Sequence, residues 1–114
     1  MKIGLVGGLS RHESEFARRA QERGHGLEFH AGDVGGTGAV ELERIVDRCD
    51  LVVIVTAVNS HGAVGIAKKA VRRRGRASLF LRSCGVARFE LLLDALQTRD
   101  REASAAADHP GVGV

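Results

Sequence analysis

Residues 50–58, DLVVIVTAV, decide how the rest of the chain reads. The run is β-branched and apolar at consecutive positions, so it does not alternate as a strand with one wet face would. Such a segment belongs in the middle of a parallel sheet covered on both sides. Parallel neighbours need crossover connections, so helices are expected on either flank. NSHGAVGIAKKAVRRRG (59–75) supplies one. Asn59 or Ser60 is its N-cap, Gly75 its stop, and Ala63, Ile66, Ala67, Ala70 and Val71 its buried stripe. Upstream, AVELERIVDRC (39–49) sets Leu42, Ile45, Val46 and Cys49 at helical spacing.

The same alternation continues to both ends. KIGLVGG is a short strand over about residues 2–7, followed by a helix carrying Phe16, Ala17 and Ala20 on one face and stopping at Gly24 and Gly26. GLEFHAG is a second strand with His30 at its far end, and DVGGTG is a loop. ASLFLRSCG is a fourth strand, and VARFELLLDALQ a fourth helix with Val86, Phe89, Leu93 and Leu96 in register. The order β-α-β-α-β-α-β-α predicts an α/β protein, a three-layer doubly wound (Rossmann or flavodoxin-like) sandwich on a four-stranded parallel sheet. Residues 1–98 form a single domain on this reading; 99–114 lack a periodic apolar stripe and are expected to be a flexible tail, or an arm on a neighbouring subunit.

Composition bounds the function. The chain of 114 residues is 44% hydrophobic and 27% charged, which suits one globular unit. No window approaches the ~20 apolar residues of a membrane span. MK runs straight into IGLVGG, so no secretory leader is expected. Two cysteines, Cys49 and Cys84, make no disulfide framework, and a cytoplasmic location follows as the default. The net charge is +3, with much of the excess in KKAVRRRGR (68–76). A solvated helix end explains that run more simply than nucleic acid does, because Tyr and Trp are absent and base stacking would rest on four Phe.

In a parallel sheet the loops after the strands' carboxyl ends share one edge, where ligands bind. Gly7, Gly8, Arg11 and His12 follow strand one; His30 ends strand two; Thr56, Asn59, Ser60 and His61 follow strand three; Arg82, Ser83 and Cys84 follow strand four. Three of the five histidines therefore gather there, while His25 falls on the opposite edge and His109 in the tail. Several chemistries lack their residues. A receiver-type phosphorylation site needs acids where this chain has Gly7–Gly8 and Thr56–Ala57. A phosphatase loop needs a cysteine–arginine spacing that is missing. A dinucleotide site needs three spaced glycines and an acid after strand two, where His30 stands with Asp33 nearby. A structural zinc site needs paired Cys/His spacings.

An imidazole beside carboxylate-binding cations suits a haem with its propionates. The same set would hold a phosphorylated small molecule, or a metal through two histidines. Cys84 reads as a packing residue rather than a nucleophile. Each histidine also has a plainer reading as a hydrogen-bonded structural residue.

These residues resemble the bacterial domain-of-unknown-function family 2325. Its pattern is a GG after the leading strand, His-x-Gly after the second, Ser-His after the third, a lysine in the next helix and Arg-Ser-x-Gly after the fourth. It falls here on Gly7, Gly8, His30, Gly32, Ser60, His61, Lys68 or Lys69, Arg82, Ser83 and Gly85, within about residues 2–97. SRHES (10–14) is less typical, so no family role is carried to Arg11 or His12. The resemblance implies a small, oligomeric α/β protein, some of whose relatives look like histidine-ligated haem dioxygenases acting on indole-like rings. The resulting expectation is a haem protein with His61 as axial ligand and Ser60, Lys68, Arg82, Ser83, Gly7 and Gly8 around the cofactor. His12, His30 and Arg11 would serve O₂ and a small aromatic substrate. A chain this short would share the pocket in a homodimer or homotetramer. The alternative expectation is a non-enzymatic module that binds a phosphorylated or nucleotide-like ligand.

Overall fold

The computed structural model describes residues 1–57 and 59–108, with side chains through residue 99. Strands β1 (Lys2–Val6), β2 (Gly26–His30), β3 (Leu51–Val55) and β4 (Ala77–Leu81) alternate with helices α1 (Glu13–Glu22), α2 (Gly38–Arg48), α3 (His61–Arg74) and α4 (Val86–Asp108). A single 3₁₀ turn, Ser10–His12, leads into α1. The four strands form one parallel sheet in the order β2-β1-β3-β4. The architecture is the three-layer, flavodoxin-like sandwich expected from the sequence.

Both faces of the central strands are covered, as the non-alternating run in β3 requires: all five of its residues are buried. Val6, Val52 and Ile54 point to the layer formed by α2 and α3, where Leu42, Ile45, Val46, Ala63, Ala67 and Ala70 meet them. Ile3, Leu5, Val53 and Val55 point the other way, onto Phe16, Ala20, Phe89 and Leu93 of α1 and α4. Phe16 anchors that second core, edge-on to Phe89 at 5.2 Å between centroids and stacked near Phe29 at 6.4 Å. Side chains of that size contribute about 1.5–3 kcal/mol each on burial.

Alanines on the inner face of α3 let it lie close to the sheet. On the opposite helix of that layer the same closeness is obtained from the strand: a Cβ at Gly4 would sit 3.0 Å from Ile45 Cγ2 and 3.1 Å from Cys49 Sγ. Ion pairs then clip helices together outside the core. Arg19 reaches Glu90 at 3.0 Å and Arg23 reaches Asp94 at 2.6 Å, joining α1 to α4; Arg74 reaches Asp47 at 3.2 Å, joining α3 to α2.

Helix ends follow the sequence signals where side chains set them. Ser60 caps α3 by accepting from Ala63 N at 3.0 Å, and Gly75 closes it in the left-handed conformation. The far end differs from expectation. The apolar stripe stops near Leu96, yet α4 continues to Asp108. REASAAAD is rich in alanine, with Arg101 and Glu102, and these strong helix formers extend a helix already nucleated by packing. Residues 109–114 of the anticipated tail, His109 among them, lie outside the described residues. No helix among the described residues is long and apolar enough to cross a membrane.

Candidate functional site

The chain leaves β1 toward β2 and leaves β3 toward β4, in opposite directions, so the sheet has its topological switch point between β1 and β3. One side chain closes the seam there. Asn59 Nδ2 donates to Val55 O at 2.7 Å and to Val6 O at 3.3 Å, joining the last carbonyls of the two strands. Its Oδ1 accepts from Ser60 N at 2.9 Å. Ser60 Oγ, besides capping α3, donates to Gly32 O at 2.7 Å and so ties in the loop after β2. Gly7 N completes the weld by donating to His30 O at 2.7 Å.

This weld redefines His30. The residue is 6% exposed, and both ring nitrogens are engaged within the chain. Nδ1 accepts from Gly32 N at 3.0 Å, which leaves Nε2 as the N–H that donates to Gly38 O at 2.9 Å. No ring nitrogen is left for substrate or O₂, and the expected catalytic part for His30 gives way to a structural one: it shapes the loop that carries Gly32.

The other expected residues divide into two groups. His61 is the first residue of α3, exposed at the N-terminus of the helix, and its ring has no hydrogen-bond partner among the described residues. Arg11 and Arg82 are likewise exposed and form no ion pair among the described residues, unlike Arg19, Arg23, Arg48 and Arg74. With Gly7, Gly8, Ser60 and exposed Ser83 they stand on the carboxyl edge of the sheet. A Cβ on Gly8 would meet nothing within 4 Å, so this side of the edge is open. His12 is half-buried, edge-on to Phe16 at 6.1 Å, and makes no cap bond to α1.

Lys68 leaves the edge. It lies two turns along α3 from His61, about 10 Å at the helical rise, and lines a groove with Phe80 rather than the ligand edge. Cys84 is a buried thiol pushed above its ordinary value by desolvation, as suits a packing residue.

Two features escaped the sequence. Asn59 was legible only as a cap candidate; that its amide spans two strand ends depends on their adjacency, which residue spacing does not encode. The second is a cleft of about 330 Å³ between α1 and α2, where Glu13, Asp33 and Glu41 flank Phe29 and His30. Its Asp33 is bent over by an Asx turn onto Gly35 N at 3.0 Å, and the D-x-G spelling is the signal that was available. No three His, Cys, Asp or Glu side chains among the described residues converge on one metal position.

The sequence model of a family described as "Uncharacterized protein conserved in bacteria (DUF2325)" matches residues 2–96. Among curated proteins, the UPF0751 proteins of Desulfitobacterium hafniense strains DSM 10664 / DCB-2 and Y51 are each 25% identical over 87 residues, covering 75% of this chain and 85% of theirs.

Proposed function

The chain belongs to the bacterial DUF2325 family, and from that premise we propose that it is a histidine-ligated haem protein that oxygenates a small aromatic, indole-like substrate. The observation that carries the reading is the imidazole of His61, exposed at the mouth of the switch point, which with Arg11 and Arg82 on the same edge has no partner among the described residues. Two solvent-facing guanidiniums on the same edge as an unengaged ring supply the donor set for a planar dianion with a ligatable centre.

The residues fit that group in part. His61 offers a nitrogen, Arg11 and Arg82 offer charge to propionates, and the open backbone at Gly8 leaves room for a ring. Apolar cover is thin on one chain, with Leu9 exposed beside the glycines as its main contribution. A second subunit facing this edge would supply the missing wall, so the functional unit in this proposal is a homodimer or homotetramer. Haem bound there would supply redox-active iron for O₂ chemistry. The chain's own part is to hold the cofactor's charge, to keep His61 aimed from a capped helix, and, through half-buried His12, to present a second imidazole near the substrate side.

Visible spectra of protein expressed with a haem precursor test this. The wild type is expected to show a strong Soret band near stoichiometric occupancy, lost in His61→Ala and kept in His12→Ala. His30→Ala should instead lower thermal stability. Oxygen uptake with indole derivatives follows. A colourless protein that ignores added haemin refutes the reading and favours the second one, a phosphorylated small ligand at the Ser60-capped N-terminus of α3.

A further inference from the structure

At the far side of the sheet from β2, β4 is an edge strand. Natural edges of this kind are usually blunted by a charge, a proline or a bulge. ASLFL carries none of these, and Leu79 and Phe80 remain 38% and 46% exposed. Leu81 O accepts from Thr56 N at 2.8 Å, so this residue's backbone faces β3. By the alternation of a parallel ladder, Ala77 and Leu79 face β3 as well, and the N–H and C=O groups of Ser78 and Phe80 point outward. The register with Val52 and Ile54 puts the side chains of those same two residues on the α2–α3 side of the sheet.

There Phe80 and Ser78 join Val71, Lys68, Arg72 and Arg76 around a groove of about 200 Å³. The basic run is divided by the fold. Arg73 and Arg74 turn to Glu43 and Asp47 of α2, and Arg76 donates to Asp47 O at 2.6 Å. Lys68 and Arg72 have no ion pair among the described residues and stay over the groove. Open backbone groups, an exposed aromatic ring and unneutralised cations thus share one strip.

We propose that the β4 edge with the α3 cations is a docking site for an extended acidic segment of a partner protein, added to the sheet as a fifth parallel or antiparallel strand. Main-chain bonds to Ser78 and Phe80 would give affinity, and carboxylates on alternate residues would reach Lys68 and Arg72. A second copy of this chain suits the strip less well. Pairing β4 with its own symmetry mate about Leu79 would bring two sets of Lys68, Arg72 and Arg76 together on one face. This proposal is independent of haem binding, since none of its backbone or aromatic groups lies on the ligand edge.

The probe is a labelled synthetic peptide of about seven residues, glutamate alternating with valine, long enough to span the strand. Fluorescence anisotropy with the full chain is expected to show binding that weakens as salt rises. The same peptide with a central proline, or with lysine for glutamate, should bind at least about tenfold more weakly, the scale of one lost hydrogen bond. Ser78→Pro removes an outward N–H and should abolish strand addition while leaving the thermal transition in place, because an edge position tolerates proline. Should that variant fail to fold, exposed Arg72→Glu is expected to cause a similar loss. Equal binding of the proline-interrupted peptide, or an unaffected Arg72→Glu, overturns the proposal. So does preference for a single-stranded oligonucleotide over the peptide, or a wild-type dimer that Ser78→Pro converts to monomer.

Discussion

Replacing Gly32 by alanine is expected to cost about 3–5 kcal/mol, and the structure divides that sum into parts. Gly32 has φ of 102°, where an L side chain is strained by about 1–2 kcal/mol. Its new Cβ would overlap Asn59 Oδ1 and lie 3.3 Å from Asn59 Cγ. Asn59 would have to move, loosening its bonds to Val55 O, Val6 O and Ser60 N, each worth ~1 kcal/mol net. Gly8 provides the internal control. It has nearly the same φ, 101°, but a Cβ there meets nothing within 4 Å, so Gly8→Ala should cost only the backbone part. In urea unfolding followed by circular dichroism, Gly32→Ala should lose at least ~2 kcal/mol more than Gly8→Ala. Adding Asn59→Ala to Gly32→Ala should cost less than the two single changes summed, because the clash has gone. Equal losses for the two glycine variants, or strict additivity of the pair, would refute the claim that Asn59 locks the switch point.

Three further outcomes rest on other contacts of the fold. Cys49 is buried against Glu28, and desolvation, reinforced by that carboxylate, pushes its thiol up to about 12. Because the folded value lies above the ordinary 9.0, the thiol's contribution to stability is complete below pH ~9 and lost as pH rises toward 12; iodoacetamide should label it slowly at pH 8 in native protein and rapidly in denaturant. Glu28 is displaced the other way by Arg48, below its ordinary 4.5, so its contribution is present above pH 4.5 and lost as pH falls through the depressed value; Glu28→Gln should flatten the acid limb of a stability–pH profile. Ser60→Ala removes both the α3 cap and the bond to Gly32 O and should cost about 1–2 kcal/mol in thermal unfolding, with Ser60→Thr recovering most of it.

How far the sequence reaches is instructive at particular residues. The strands announced themselves because burial on both faces leaves no room for polar residues in LVVIV. The α2 stripe was legible in full, since Leu42, Ile45, Val46 and Cys49 are all buried. Ile66, placed in the α3 stripe by spacing, is only half-buried, because α3 rests on the sheet mainly through alanines. The end of α4 was misplaced for a related reason: periodicity reports packing, and its last turns are held by backbone propensity instead. At the site, spacing placed His30 and His61 on one edge but said nothing of their partners. One imidazole is saturated by Gly32 N and Gly38 O while the other has no partner among the described residues, and that distinction arises from loop closure between segments far apart in the chain. The edge position of β4 was equally hidden, since strand order is not written in strand sequence.

The contact between Gly4 and α2 has a consequence for how this chain can drift over generations. Positions 4, 45 and 49 share one volume, and each constrains the others' permissible alphabet. An alanine at 4 requires Ile45 and Cys49 to give by a few tenths of an ångström, room that a smaller residue at 45 or 49 supplies beforehand, so the order in which such changes arise bears on their cost. Sequences descended from this fold should therefore show position 4 enlarging more often in company with a smaller neighbour at 45 or 49, a historical ratchet set by 3.0 Å of clearance to Ile45 Cγ2 and 3.1 Å to Cys49 Sγ.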